Sequence, residues 1–369
     1  MKATIHRTDL LKTLSHVQSV VERRNTIPVL SNILIDAAEG RMIVSATDLD
    51  LQVKETVQAT VDRAGRTTVS AHLLYDIVRK MPDGEITIDE EAGRMLVRAG
   101  RARFSLPTLP AEDFPEIATG DMPHTFTIHS KELARIIQSV RFAMSTEETR
   151  YYLNGIFMHI RNLPEGKDLA AVATDGHRLS LMSIALPEGS ENVPDVIVPK
   201  KCVAEVGKIV DTIDVPVVIS VSDRKIRFDL GGLVFVSKVI DGTYPDYRRV
   251  IPSDNDKTIV VNADDLAEGI DRCSCVATEK TRAIKIGVEK GKLVLSVTSP
   301  ENGTATEEVE ADYAGAAMEI GFNSRYLLDI LQRSPGQDVE ILMKDAAAPT
   351  LLRRKGATDS LCVLMPMRV

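Results

Sequence analysis

Three stretches of the chain repeat one pattern: TDLLKTLSHVQSV at 8–20, SKELARIIQSVRF at 130–142 and ADDLAEGIDRCSC at 263–275. Each opens on Thr, Ser or Ala–Asp with an acid close behind, followed by apolar residues at i, i+3 and i+4. That arrangement predicts an amphipathic helix with a carboxylate near the positive end of its dipole. A second trio, SAHLLYDIVRKM at 70–81, PKKCVAEVGKIV at 199–210 and NSRYLLDILQRS at 323–334, predicts a second helix in each repeat and carries an acid at one shared place: Asp76, Glu205 and Asp329. A turn and an alternating strand follow each time, in PDGEITI, IDVPVVI and PGQDVEI. A repeat of this length, about 120 residues, is an ordinary domain size. The expected fold is α+β, with three repeated domains at 1–122, 123–251 and 252–369, each holding two helices packed on antiparallel sheets. Their linkers fall near TGDMPHT at 119–125 and VIPSDNDKT at 250–258, both rich in turn formers.

Composition narrows the partners. The net charge is −8, from 53 acids against 45 bases, which by itself argues against a nucleic-acid binder. The bases nevertheless recur on the second-helix segments, at Arg79, Lys80, Lys200, Lys201, Lys208, Arg325 and Arg333, with others at Arg23, Arg24, Lys280 and Arg282. Recurrence in all three repeats favours one shared basic face over scattered solvated charges. There is no Trp and aromatics make up 4%, so stacking on bases is disfavoured and any DNA contact runs through phosphates. No apolar run is long enough to span a bilayer, and MKATIHRTDLLK lacks a signal-peptide core. The four cysteines, at 202, 273, 275 and 362, form no C-x-x-C pair. A cytoplasmic protein with reduced thiols, no membrane contact, no metal and no cofactor is expected.

ATDGHRLSL at 173–181 has the look of an active site, with Asp175 and His177 two residues apart. The matching segment of the first repeat, ATDLDLQV at 46–53, keeps the Asp but has no His. A shared Asp reads as a turn cap. The chain holds no G-x-S-x-G, no Gly-rich phosphate loop and no H-E-x-x-H, so nothing supplies a nucleophile for His177. Non-enzymatic binding is expected. The GHRL unique to the second repeat points to a local task.

Several ungapped segments resemble the bacterial sliding clamp family, the β subunit of DNA polymerase III, over the whole chain. They are ATDLDLQV, RARFSLPTLPAEDFPEI at 101–117, RYYLNGIF at 150–157, ATDGHRL, YPDYRRV at 244–250 and the terminal LMPMRV. The resemblance implies three clamp domains in a processivity factor whose head-to-tail homodimer encircles double-stranded DNA. Simple geometry favours two chains. Twelve helices about 10 Å apart around a circle leave a hole of about 28 Å, whereas six leave about 9 Å, too narrow for a duplex. By resemblance, DNA-facing candidates are Arg24, Arg79, Lys80, Arg103, Arg150, Tyr151, Tyr152, Lys200 and Lys201. The implied dimer contact sets Phe104 and Leu106 against Cys275 and Val276. The implied groove for partner peptides is walled by Leu153, Thr174, Gly176, His177, Arg178, Leu179, Pro245, Arg249, Val250, Val363, Met365, Pro366, Met367 and Arg368, with Arg and His fixing the peptide's polar groups. The implied partners are the polymerase III catalytic subunit, a clamp loader and other replication and repair proteins. The Ala-rich 346–348 segment is a departure that bears on peptide preference. The competing reading is a repeat-built peptide adaptor that does not encircle DNA.

Overall fold

The computed structural model describes residues 1–164, 166–278 and 282–369; Lys280, one of the expected bases, lies outside the described residues. Six α-helices form among them: α1 (Arg7–Val17), α2 (Ala71–Lys80), α3 (Ser130–Val140), α4 (Lys200–Val210), α5 (Ala263–Ser274) and α6 (Ser324–Leu331). All six fall on the predicted segments. The local reasons are visible at their ends. The Asn262 side chain accepts from the backbone N–H groups of Asp264 and Asp265, and Asn323 does the same for Arg325 and Tyr326. Each helix buries one stripe: Leu10, Leu14 and Val17 on α1, and Leu327, Ile330 and Leu331 on α6.

The chain folds into two compact units. The first comprises Met1–Ala134, Pro187–Pro194 and Lys201–Val239; the second comprises Arg135–Leu186, Asp195–Lys200 and Ile240–Val369. In the first, all strands belong to a single 13-stranded sheet, with α1 packed beside α2. In the second, an 8-stranded and a 4-stranded sheet accompany the α5–α6 pair. The α5–α6 stripes enter one apolar core with Ile286, Leu295 and Phe322 of the four-stranded sheet.

Both large sheets run through a repeat boundary. In the first unit, strand Leu233–Lys238 of repeat two pairs antiparallel with Leu51–Gln58 of repeat one, with Phe235 opposite Val53. In the second unit, Arg178–Ala185 of repeat two pairs with Ser360–Leu364 of repeat three, with Leu181 opposite Leu361. Backbone hydrogen bonds therefore continue from repeat to repeat, which fixes the register of each junction.

Candidate functional site

The segment Thr174–Arg178 is a tight turn ahead of strand Arg178–Ala185. Asp175 Oδ1 accepts from the backbone N–H groups of His177 at 2.9 Å and Arg178 at 3.0 Å. Thr174 Oγ1 accepts from Gly176 N at 3.1 Å and donates to Arg178 O at 2.6 Å. Asp175 is thus a turn cap. Gly176 sits at φ +88°, and a Cβ there would lie 2.5 Å from Arg150 Nη1. Only glycine meets both demands without strain. Arg150 is itself held by a forked pair to Glu147, which lowers the Glu147 pKa below its usual value.

The structure gives Arg178 an internal task beside the one the sequence suggests. Its side chain is only 9% exposed and bonds within the protein through all three guanidinium nitrogens. Nε bonds Asp175 at 3.2 Å, Nη1 bonds Asp329 at 2.6 Å, and Nη2 bonds the Phe142 carbonyl at 2.7 Å. The guanidinium also stacks 4.3 Å from the Tyr326 ring centroid and 5.1 Å from that of Phe142. Each guanidinium nitrogen thus holds a partner inside the protein, and the bond to Asp329 ties repeat two to repeat three beneath the turn. His177, by contrast, is exposed, with its ring 6.1 Å from Tyr326.

Near this turn the second unit buries an apolar cluster. Leu153, Leu179 and Val363 are buried in one cluster with Tyr244 and Tyr247. Pro245, Arg249, Val250 and Met365 stand exposed at its margins, with Val250 at 46% and Met365 at 40%. The C-terminal tail is pinned at two points: Met365 N donates to His177 O and Met367 N donates to Gly321 O, both at 2.9 Å. Pro366, lacking an N–H, lies between them, as edge positions allow. Packed against this cluster, Phe157 stacks on Tyr244 at 4.7 Å and on His159 at 4.4 Å. His159 Nε2 lies 2.9 Å from the Tyr247 hydroxyl. Burial, with Arg248 and Arg161 nearby, pushes the His159 pKa down to about 4, so the ring is neutral at physiological pH.

Three family models match consecutive parts of the chain: the N-terminal, central and C-terminal domains of the DNA polymerase III β subunit, at residues 1–118, 127–246 and 248–368. The β sliding clamp of Caulobacter vibrioides is 47% identical and that of Escherichia coli K12 36%, each with both chains covered in full. The chain belongs to the bacterial β sliding clamp family. Among solved clamps, that of Caulobacter crescentus with bound polyethylene glycol superposes with a TM-score of 0.96 at 47% identity. The griselimycin-bound clamp of Bartonella birtlesii gives 0.97 at 45%, again with full coverage of both chains. Clamps of this family are processivity factors of DNA polymerase, and the chain shares that function.

The basic residues that the clamp resemblance selected divide by environment. In the first unit Arg24, Lys80 and Arg103 are exposed and have no carboxylate within ion-pair distance among the described residues, while exposed Arg79 pairs with Asp76 at 3.2 Å. Lys201 is tied to Asp48, itself only 11% exposed, and lies 3.6 Å from Glu22. Its charge serves the junction between repeats one and two. In the second unit Lys200 is exposed and unpaired among the described residues, Tyr151 is 53% exposed, and Tyr152 is half-buried. At the proposed dimer ends, Phe104 is 38% exposed, Cys275 exposed and Val276 half-buried, whereas Leu106 is buried inside the first unit. Sequence reasoning missed Phe142, Tyr326 and Asp329 as supports of the turn. The shared acid of the second helices was the available signal.

Proposed function

We propose that two copies of this chain close head to tail around duplex DNA in the cytoplasm, holding it through exchangeable phosphate contacts while partner peptides dock over the apolar cluster of the second unit. The DNA-facing set is Arg24, Arg79, Lys80, Arg103, Arg150, Tyr151, Tyr152 and Lys200, with Lys201 as a junction residue. Arg24, Lys80, Arg103 and Lys200 suit this task best, because a cation without a fixed carboxylate can trade one phosphate for the next as the ring slides, whereas Arg79 and Arg150 must first leave Asp76 and Glu147. Two open strand edges suit dimerisation. Residues 102–107 of strand Ala102–Leu109 pair on one side only, and strand Gly303–Glu310 ends the four-stranded sheet. An unpaired edge invites pairing with another chain, and Phe104 and Cys275 offer apolar surface for the contact.

The observation that carries the peptide reading is the convergence of the His177 turn and the Met365–Arg368 tail over the Leu153–Leu179–Val363 floor. Its chemistry fits short tails of the polymerase III catalytic subunit, a clamp loader and repair proteins: an adaptable Met, apolar walls, and His177 and Arg249 at the rim. Deleting Met365–Val369 is expected to abolish binding of a fluorescent polymerase-tail peptide while the dimer persists in sedimentation. Undiminished peptide affinity in the truncated dimer contradicts the assignment.

A further inference from the structure

The second unit holds a cavity of about 190 Å³ that touches the apolar cluster below the turn only through Leu181 and Leu361. It opens between α3, the C-terminal end of α6, strand Arg178–Ala185 and strands Thr350–Arg354 and Ser360–Leu364. Leu181, Ile330 and Leu352 give it an apolar floor. Arg135, Arg333, Arg353 and Arg354 all line it, and Asp359 is the only acid that does among the described residues.

The ion pairs leave positive charge in excess. Asp359 takes Arg135 at 3.0 Å and stands 3.9 Å from Arg354. Arg353 turns to Glu340 at 2.7 Å. Arg333 pairs with no carboxylate among the described residues. Its Nε and Nη1 reach only the backbone oxygens of Asp329 at 3.3 Å and Gln138 at 3.2 Å, and its guanidinium lies 5.7 Å from the Phe142 ring centroid. Partial burial and the neighbouring Arg141 both disfavour its charge. Arg333 thus has no carboxylate in ion-pair range among the described residues, and Arg354 has only the distant Asp359, above an apolar base. Guanidinium groups match planar or tetrahedral oxyanions through forked hydrogen bonds.

We infer that this cavity binds a small amphipathic oxyanion, with a carboxylate or phosphate head between Arg333 and Arg354 and a compact apolar body on Leu181, Ile330 and Leu352. The volume is below the roughly 300–1,000 Å³ of drug-sized sites, which limits the body to about one ring.

Saturation-transfer NMR and calorimetry on the full-length protein test this with phenyl phosphate and benzoate as probes. Both are expected to bind saturably, with benzyl alcohol and inorganic phosphate each about tenfold weaker because each lacks one half of the recognition. Arg333→Gln and Arg354→Gln are each expected to weaken phenyl phosphate about fivefold, with Arg354→Gln keeping the wild-type unfolding transition because Arg354 is exposed. Absence of saturable binding by phenyl phosphate overturns the inference. So does equal binding of benzyl alcohol, or affinity for phenyl phosphate unchanged in the Arg354→Gln protein.

Discussion

The turns at residues 47–51 and 174–178 are built from the same four hydrogen bonds. Thr47 Oγ1 bonds Leu49 N and Leu51 O, and Asp48 Oδ1 accepts from Asp50 N and Leu51 N, as Thr174 and Asp175 do in the second unit. The side chains then diverge. Leu51, buried at 2% exposure, becomes Arg178, so an apolar contact is replaced by an ionic lock on Asp329. Leu49, held at φ +80° with 39% exposure, becomes Gly176, which makes room for Arg150. Asp50, paired with Lys238 at 2.9 Å, becomes the exposed His177. One scaffold serves twice. In repeat one it makes a junction, and in repeat two it makes a junction and presents a binding edge.

The largest effect that tests this contrast concerns the two ionic ties. Arg178→Ala strands Asp329 and Asp175 near the protein interior and is expected to cost about 3 kcal/mol in denaturant unfolding. Lys201→Ala removes a more exposed tie to Asp48 and is expected to cost about 1 kcal/mol. Equal losses erase the distinction between lock and surface tie.

A pH effect of similar size belongs to the second unit alone, because His159 is the only buried histidine among the described residues. Its folded pKa of about 4 lies below the ordinary histidine value of 6.5, so between these values the unfolded chain binds the extra proton. Stability is therefore full above pH 6.5 and falls as pH drops toward 4, by roughly 3 kcal/mol for a shift of this size. His159→Gln is expected to flatten that part of the wild-type stability profile. An unchanged slope in the variant refutes the assignment.

The smallest effects should have opposite signs at equivalent positions. Gly176→Ala forces a Cβ against Arg150 at positive φ and is expected to destabilise by about 2 kcal/mol and weaken peptide binding. Leu49→Gly relieves the same backbone strain where little area is buried and is expected to be neutral or stabilising by up to about 1 kcal/mol. Like-signed changes of equal size break the equivalence of the two turns.

The helices and the threefold repeat were legible because apolar periodicity and the acids at Asp76, Glu205 and Asp329 are local signals. The turn caps were legible for the same reason, since Asp48 and Asp175 bond residues two and three positions ahead. The continuation of sheets from repeat to repeat was not, because an alternating strand reads alike whichever neighbour it pairs with. The internal bonds of Arg178 were not legible, because its partners Phe142 and Asp329 lie 36 and 151 residues away in sequence. The tie of Lys201 to Asp48 was equally illegible, because the two lie 153 residues apart in sequence.

Retention on DNA of two topologies tests the central claim most directly. The protein loaded on a nicked circular duplex is expected to stay bound through gel filtration at moderate salt, and to run off once a single cut makes the duplex linear. Equal retention on circular and linear molecules, or none on either, would show that these basic residues grip DNA, or ignore it, without enclosing it.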